Sequence, residues 1–291
     1  MSEGGTFRRV AILGTGLIGA SFGAAVSRVC PLMSVIAFDK PDVLQKLKEL
    51  GFGWETSANL SGAVRDADLI YVALPIRYAI EMLPEIASHC GSEALVTDAG
   101  STKERICEVA DKQFNGTAKF LGGHPIAGRE LGGLEHADAE LFRGARYVLV
   151  KDGRNNEESD PRVRKFVELV RLIGAEPVWS DAATHDWAMA VVSQMPQLVS
   201  VALAGVISDE TDETGLPASL AGSGLRDLLR IAGSPYEVWR DICMTNTENI
   251  ARSLDRAAQA IDFLRTHLTS RELKNEFDDA NQVYKLLREM N

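Results

Sequence analysis

Three glycines near the N-terminus have a spacing that could hold a phosphate group. Gly14, Gly16 and Gly19 lie after an apolar run and before an amphipathic stretch. In a strand–turn–helix, the first glycine permits the tight turn, the second lets a pyrophosphate approach the backbone, and the third lets the helix pack closely on the strand. The backbone N–H groups at Leu17 and Ile18, at the positive end of the helix dipole, would face the pyrophosphate. The pattern predicts a dinucleotide-binding turn.

The residue at the end of the second apolar run predicts which dinucleotide is bound. Asp39 lies twenty positions after Gly19, where a carboxylate can accept hydrogen bonds from the ribose hydroxyls. A negative charge there repels the 2′-phosphate of NADP, so NAD is the predicted cofactor. The neighbouring Lys40 keeps NADP as an alternative, and a glycine turn without a ligand is the competing interpretation.

Two later loops follow predicted strands and could carry catalytic groups. Residues 98–103 read DAGSTK, and residues 122–130 read GGHPIAGRE. Ligands of open α/β sheets bind at the carboxyl ends of the strands, where His124 would be held by its glycine and proline neighbours. An imidazole can act as a general acid or base near neutral pH. From these residues alone, a loop histidine with a structural hydrogen bond is an equally good interpretation.

These motifs, together with GSGLRDLLRIA at residues 222–232 and Trp239 beyond it, resemble the prephenate and arogenate dehydrogenase family of tyrosine biosynthesis. The likeness covers nearly the whole chain. It implies an NAD-dependent oxidoreductase, a prephenate dehydrogenase whose substrate gives a hydride from C4 to the nicotinamide. The C4 hydroxyl loses a proton, and the ring carboxylate leaves as carbon dioxide to give 4-hydroxyphenylpyruvate. Arogenate, or dual specificity as a cyclohexadienyl dehydrogenase, is the alternative.

The resemblance also implies roles for individual residues. His124 matches the catalytic histidine that bonds the C4 hydroxyl, and Ser101 matches the serine that orients both groups. Arg230 matches the arginine that grips a substrate carboxylate, which a guanidinium can do with two hydrogen bonds. Glu130 matches an acidic residue near the pocket mouth, and Arg226 belongs to a charged pair close to the site. For the two arginines, a solvated helix face is the alternative interpretation.

One short segment departs from the family pattern. Residues 193–197 read SQMPQ where many members have SHLPH, so Gln194 and Gln197 replace both histidines. The second position faces the substrate side chain in relatives that use prephenate. A glutamine amide can donate to the keto oxygen of prephenate or accept from the ammonium of arogenate. Gln197 therefore leaves the substrate open, with 4-amino-4-deoxyprephenate as a third alternative.

Two other functions compete with this one. A 3-hydroxyacid dehydrogenase also joins a Rossmann domain to a helical one, but it generally has a catalytic lysine on the first long helix of the second domain. Residues 182–208 contain no lysine. A non-catalytic dinucleotide-binding protein is suggested only by the two glutamines. The presence of His124, Ser101 and Arg230 together favours the enzyme.

Alternating strands and helices must position these groups. Short apolar runs alternate with amphipathic stretches over residues 9–180, which predicts a Rossmann-type, doubly wound, mostly parallel α/β sheet. Beyond residue 181 long helical segments follow. We therefore predict an NAD-binding domain over residues 1–180 and an all-helical substrate and dimerisation domain over residues 181–291. The predicted strands lie at 10–13, 35–38, 69–74, 95–98, 120–123, 147–150 and 176–179, and the later helices at 182–208, 218–231, 236–267 and 270–290.

Composition narrows the class of protein and its partners. The 291 residues carry a formal charge of −10, which argues against nucleic acid because phosphate contacts need a basic surface. The four scattered cysteines form no metal motif and indicate a reducing compartment. No apolar run is expected to approach the ~18 residues that cross a bilayer, so we predict a cytoplasmic protein without a membrane partner. The apolar stripes of the long helices predict a homodimer.

Overall fold

A parallel sheet of six strands forms the centre of the first part of the chain. The computed structural model describes residues 7–116, 118–128, 132–151, 160–211 and 214–289. Alternate residues of the first strand enter different cores, with Val10 and Ile12 on one face of the sheet and Ala11 and Leu13 on the other. Burial on both faces explains why these strands are continuously apolar. The strands are β1 Arg9–Leu13, β2 Ser34–Phe38, β3 Glu55–Ser57, β4 Leu69–Val72, β5 Leu95–Asp98 and β6 Lys119–Leu121, in the order β3-β2-β1-β4-β5-β6.

Helices cover both faces of this sheet. Phe22 of the first helix stacks on Tyr71 of β4, with 3.8 Å between the ring centroids, and both side chains are fully buried. The strand order reverses between β1 and β4, which is the switch point where open α/β sheets bind ligands. The Rossmann-type prediction is confirmed. The helices are α1 Leu17–Val29, α2 Pro41–Glu49, α3 Leu60–Val64, α4 Ile76–His89, α5 Glu104–Gln113 and α6 Pro161–Leu172.

A second, three-stranded sheet follows, and it corrects the prediction for residues 120–123. The chain leaves β6 and enters a new strand, β7 Gly123–Pro125, so His124 lies within a strand, opposite Val148, rather than in a loop. A Cβ atom at Gly123 would lie 2.7 Å from the backbone oxygen of Asp98. Glycine therefore lets the chain pass close to the end of β5. The other strands are β8 Arg146–Val150, antiparallel to β7, and β9 Glu176–Ser180, parallel to β8.

The second part of the chain is helical, with more breaks than predicted. The predicted helix over 236–267 is interrupted at Asn246, whose buried amide donates to the backbone oxygen of Asp186 and to Gln194 Oε1, both at 2.7 Å. The predicted helix over 218–231 is interrupted before Ser223, where Gly222 is extended. The helices are α7 Ala182–Met189, a π-helical turn Ala190–Gln194, α8 Met195–Glu210, α9 Leu216–Ser219, α10 Ser223–Leu229, a 3₁₀ turn Arg230–Gly233, α11 Tyr236–Thr245, α12 Thr247–Thr266 and α13 Glu272–Glu289.

The helical stretch Ala182–Glu210 corrects the expectation about apolar runs. By length and composition it is sufficient to cross a membrane. However, Asp186, Gln194 and Gln197 are buried within it and hydrogen bond to other parts of the chain. Buried side chains that hydrogen bond to other parts of the chain suit a helix packed against protein. One helix that meets these criteria is weak evidence for a membrane span.

Two aspartates of the helical part bind the N-termini of two sheet-covering helices. The Asp186 carboxylate accepts hydrogen bonds from the backbone N–H groups of Lys103 (2.7 Å) and Glu104 (2.9 Å) at the start of α5. Asp241 accepts one from the N–H of Arg77 (3.2 Å) at the start of α4. The first N–H groups of a helix lack partners within it, and its positive dipole end favours an anion. These contacts hold the helical part beside the carboxyl ends of β4 and β5.

Candidate active site

The glycine turn has the shape that a dinucleotide pyrophosphate requires. Gly14 has φ +92°, and a Cβ atom there would lie 2.6 Å from the backbone oxygen of Ala73. At Gly19 a Cβ would lie 1.9 Å from the oxygen of Gly14. Gly16 differs, because a Cβ there would meet no described atom within 4 Å. The open space lies at the start of α1, which has no side-chain cap, so the first helical N–H groups fit an anionic ligand.

Asp39 lies beside this turn and also supports it. Its Oδ2 atom accepts hydrogen bonds from the backbone N–H (2.6 Å) and the hydroxyl (2.9 Å) of Thr15. Its Oδ1 atom accepts one from the N–H of Lys40 at 2.8 Å. A carboxylate oxygen can accept more than one hydrogen bond, so Oδ1 keeps capacity for a ribose hydroxyl. The role in bracing the turn was not anticipated from the sequence.

His124 lies at the start of a buried chain of hydrogen bonds. Its Nδ1 atom lies 2.9 Å from Nε2 of His185, and Nδ1 of His185 lies 2.7 Å from Oδ1 of Asp186. All three residues are buried. Burial, the neighbouring His185 ring and the positive charge of Lys103 hold the pKa of His124 well below its usual value of 6.5. The imidazole is therefore neutral at physiological pH.

A buried ion pair connects the loop of residues 98–103 to the strand that carries His124. The ammonium of Lys103 contacts Asp98 Oδ2 and donates to the backbone oxygen of Gly123 at 2.7 Å. Asp98 also accepts from the N–H groups of Gly100 (2.8 Å) and Gly123 (3.1 Å). Ser101 is half-buried in this loop. Among the described contacts, no hydrogen bond joins Ser101 to His124.

The predicted substrate-binding residues of the helical part lie on segments that a hydrogen bond joins. Gln197 is buried, and its Nε2 atom donates to the backbone oxygen of Ile231 at 2.8 Å. This bond joins α8 to the turn that begins at Arg230, and Arg230 and Arg226 are both exposed. The described contacts do not bring either arginine to His124. The predicted acidic residue at position 130 lies outside the described residues.

Four residues of this centre were not assigned a role from the sequence: Asp98, Lys103, His185 and Asp186. The first two are part of the DAGSTK motif, but nothing local shows that both are buried. The second two form a His–Asp pair that begins four residues after the helix cap at Asp181. In a segment that is otherwise mainly apolar, such a pair is a usable signal. Within the described ranges, no three His, Cys, Asp or Glu side chains are grouped so that they could hold a metal ion.

Both parts of the chain are similar to known proteins. Residues 22–178 match the family model described as the nucleotide-binding domain of prephenate dehydrogenase, and residues 181–288 match the one described as its dimerization domain. A prephenate dehydrogenase of Lactococcus lactis subsp. cremoris is 30% identical over 95% of this chain and 76% of its own length. A cyclohexadienyl dehydrogenase of Zymomonas mobilis is 27% identical over 91% of this chain and 90% of its own.

The fold is similar to that of a solved family member. The crystal structure of a prephenate dehydrogenase from A. aeolicus in complex with hydroxyphenyl propionate and NAD+ superimposes with a TM-score of 0.86, covers 98% of each chain and is 24% identical. The Rossmann-type sheet and the helical second part agree with these matches. The chain belongs to the prephenate dehydrogenase family and is an NAD-dependent oxidoreductase.

Proposed function

We propose that this enzyme converts prephenate to 4-hydroxyphenylpyruvate and carbon dioxide with NAD, and that His124 is its general base. The observation that carries the assignment of the base is the buried, neutral His124 ring. One of its nitrogens is bonded to His185, which leaves Nε2 for the substrate. A general base must be unprotonated and within hydrogen-bond reach of the proton that it takes. The His124 ring is unprotonated throughout the neutral pH range, as a general base requires.

The reaction needs one proton acceptor and tight orientation of the ring. His124 accepts the proton of the C4 hydroxyl at Nε2, while NAD, when bound, supplies the acceptor for the C4 hydride. The C–C bond to the ring carboxylate breaks to release carbon dioxide, and its electrons complete the aromatic ring. His124 then returns its proton to the phenol oxygen. The net products are 4-hydroxyphenylpyruvate, carbon dioxide and NADH, and no proton is left over.

We assign cofactor binding to the glycine turn and substrate anchoring to the arginines. Gly14, Gly16 and Gly19, with the N–H groups of Leu17 and Ile18, would hold the pyrophosphate, and Asp39 would accept from the ribose. Arg230, aided by Arg226, would bind a substrate carboxylate with paired hydrogen bonds. Ser101 would orient the ring hydroxyl, and Glu130 would lie near the mouth of the pocket. In a chain of net charge −10, such local cations are needed to attract a dianionic substrate.

Arogenate is a second candidate substrate, because the side-chain oxygen of Gln197 has capacity for its ammonium. The Nε2 atom must face the carbonyl of Ile231, because a backbone oxygen can only accept. The side-chain oxygen of Gln197 then remains as an acceptor. That acceptor suits the ammonium of the alanyl side chain of arogenate, while the second N–H of Nε2 can donate to the keto oxygen of prephenate. The same enzyme would then act on both substrates, with a preference set at this position.

We also propose that the chain is a homodimer whose second copy covers the helical part. No residue of α13 is buried within the described chain, and Phe277, Val283, Tyr284 and Leu286 are each more than half exposed. An 18-residue helix gains most of its stability from packing an apolar face. The partner is a second copy because this segment belongs to the match with the dimerization domain of the family. Sedimentation should give twice the mass of 31.6 kDa at micromolar concentration, and a stable monomer would contradict this proposal.

The domain boundary near residue 180 and a cytoplasmic location complete the proposal. The two family matches meet at residues 178 and 181, which supports an NAD-binding domain over 1–180 and a substrate and dimerisation domain over 181–291. The relatives in Lactococcus and Zymomonas are bacterial enzymes of comparable extent. Separate expression of residues 1–180 should give a protein that still binds NAD.

The central test compares rates for prephenate and arogenate, each with NAD and with NADP. We expect turnover of prephenate with NAD and release of 4-hydroxyphenylpyruvate. His124→Asn should lower kcat by ~10²- to 10⁴-fold, the usual contribution of a general base, while NAD affinity stays unchanged. Wild-type turnover in that variant would show that His124 is not the base. Tight NAD binding without turnover of either substrate would instead support a non-catalytic protein.

A further inference from the structure

We infer that His185 and Asp186 are positioning residues for His124, so that the base is a chain of three side chains rather than a single imidazole. This inference rests on the proposed role of His124 as the proton acceptor. His124 comes from β7 of the first part of the chain, while His185 and Asp186 come from α7 of the helical part. The base would thus be assembled where the two parts meet.

The direction of each hydrogen bond follows from the chemistry of Asp186. Its carboxylate can only accept, and backbone N–H groups of Lys103 and Glu104 donate to its two oxygens. The contact at 2.7 Å therefore requires a proton on Nδ1 of His185. In a neutral ring the other nitrogen, Nε2, then carries no proton and must accept. With His185 neutral, its partner at 2.9 Å, Nδ1 of His124, is the donor.

This order of donors fixes the tautomer of His124. With its single proton held on Nδ1, the neutral ring has an unprotonated Nε2, which is the atom that a base needs. A neutral histidine elsewhere can carry its proton on either nitrogen, and the neighbouring hydrogen bond decides which. The side chains of Asp186 and His185 are 0% and 2% exposed, so solvent does not compete for these bonds. The geometry selects the reactive tautomer before substrate binds.

The same chain can stabilise the charge that forms during proton transfer. After His124 takes the substrate proton at Nε2, its Nδ1–H still points at Nε2 of His185. If the Nδ1–H bond of His124 breaks as an Nε2–H bond of His185 forms, the positive charge moves next to the Asp186 carboxylate. That carboxylate lies at the N-terminus of α5, where the positive end of the helix dipole favours a negative charge. Reversal of both transfers returns the proton to the phenol oxygen.

The test uses His124→Asn, four further variants of the full-length protein and two kinds of measurement. Asp186→Asn replaces an acceptor-only group by one that also donates, and His185→Leu removes the link. His185→Gln keeps a donor for Asp186 and an acceptor for His124. Asp241→Asn is the matched control, because Asp241 also binds a helix N-terminus from the helical part and has no described contact with a histidine. The first measurement is the rate with prephenate and NAD. NAD affinity and circular dichroism of each variant show whether cofactor binding and folding are retained.

The second measurement reads the tautomer directly. Long-range proton–nitrogen NMR of ¹⁵N-histidine-labelled protein distinguishes a protonated from an unprotonated ring nitrogen, and the His124 signals are assigned by their loss in His124→Asn. We expect an unprotonated Nε2 in the wild type and in Asp241→Asn. We expect a mixture of tautomers in Asp186→Asn and His185→Leu, while His185→Gln keeps the wild-type pattern. This readout does not depend on turnover.

The kinetic outcomes separate this inference from the proposed function. We expect kcat to fall at least ~10-fold in Asp186→Asn and His185→Leu with KM and NAD affinity unchanged, and to fall less in His185→Gln. Wild-type kcat in the first two variants, while His124→Asn is inactive, would overturn the inference and leave His124 as the base. An equal loss in Asp241→Asn would overturn it too, since helix binding alone would explain the effect. Wild-type turnover in His124→Asn would contradict the proposed function itself.

Discussion

The ammonium of Lys103 donates to the backbone oxygen of Gly123 at 2.7 Å, one residue before His124. The lysine side chain and its ionic partner Asp98 are both fully buried. This contact places a positive charge beside a buried imidazole, which disfavours a second positive charge on the ring. The same lysine thus fixes the strand that carries His124 and helps to keep His124 neutral.

Removal of this cation should destabilise the protein strongly. Lys103→Met leaves the Asp98 carboxylate buried without its counter-charge, and breaking a buried ion pair in this way costs about 3–5 kcal/mol. The free energy of unfolding from urea titration measures the effect. The double variant Asp98→Asn/Lys103→Met should recover part of the loss, because it leaves no isolated charge in the interior.

A solvated lysine provides the control for this prediction. Lys112 forms an ion pair with Glu108 on the surface of α5, with both side chains about half exposed or more. Exposed pairs contribute little because water screens them, so Lys112→Met should change the free energy of unfolding by less than ~1 kcal/mol. An equal effect of Lys103→Met and Lys112→Met would contradict the buried-pair interpretation.

The low pKa of His124 predicts how stability depends on pH. In the unfolded chain this histidine binds a proton near pH 6.5, while in the folded protein its pKa lies well below that value. The unfolded state therefore binds more protons, and stability is lost as the pH falls below about 6.5. The slope due to one proton is ~1.4 kcal/mol per pH unit. Urea titrations of wild type and His124→Asn between pH 5 and 8 should differ by this slope below pH 6.5 and not above it.

The pH dependence of kcat should also reflect the low pKa of His124. Protonated His124 cannot accept the proton of the substrate hydroxyl, so kcat falls as the ring protonates. Because burial, His185 and Lys103 lower the pKa, kcat should remain constant through pH 6.5 and decline only at clearly lower pH. A half-maximal kcat at pH 6.5 or above would show that the ring is not shielded in this way.

The second and third glycines of the turn should respond differently to a methyl group. Gly16→Ala adds a Cβ that meets no described atom, so stability should change by less than ~1 kcal/mol while NAD binding weakens because the methyl occupies the space for the pyrophosphate. Gly19→Ala adds a Cβ 1.9 Å from the backbone oxygen of Gly14, which should cost ~3 kcal/mol of stability. Thermal unfolding and NAD titration of both variants check the contrast. Unchanged NAD affinity in Gly16→Ala would argue against binding at this turn.

The arginine predicted to bind substrate can be tested against one outside the site. Arg230→Gln removes a charge-assisted hydrogen bond to a carboxylate, which contributes ~1.5–3 kcal/mol, so kcat/KM for prephenate should fall by roughly 10- to 150-fold. Arg256 lies exposed on α12, and Arg256→Gln should leave kcat/KM unchanged. Equal values for the two variants would remove Arg230 from the proposed substrate site.

The sequence predicted those features of the site that depend on local geometry. The spacing of Gly14, Gly16 and Gly19 indicates the turn because the steric limits on each glycine come from neighbours in the same strand–turn–helix unit. The alternation of apolar runs and amphipathic stretches likewise predicts the Rossmann-type sheet. His124 could be singled out by its glycine and proline neighbours and by a family motif, although the local pattern placed it in a loop.

Only the tertiary structure decided what surrounds His124. The neighbours of its ring, His185 and Lys103, are separated from it by 61 and 21 positions along the chain, and hydrogen bonds between such distant residues leave no periodic signal. The expected loop becomes β7 because it pairs with β8, which is also distant in the sequence. Burial and hydrogen-bond direction depend on how whole elements pack. They set the pKa of His124 and, as we infer, its tautomer, so the residue could be found in the sequence but its chemical state could not.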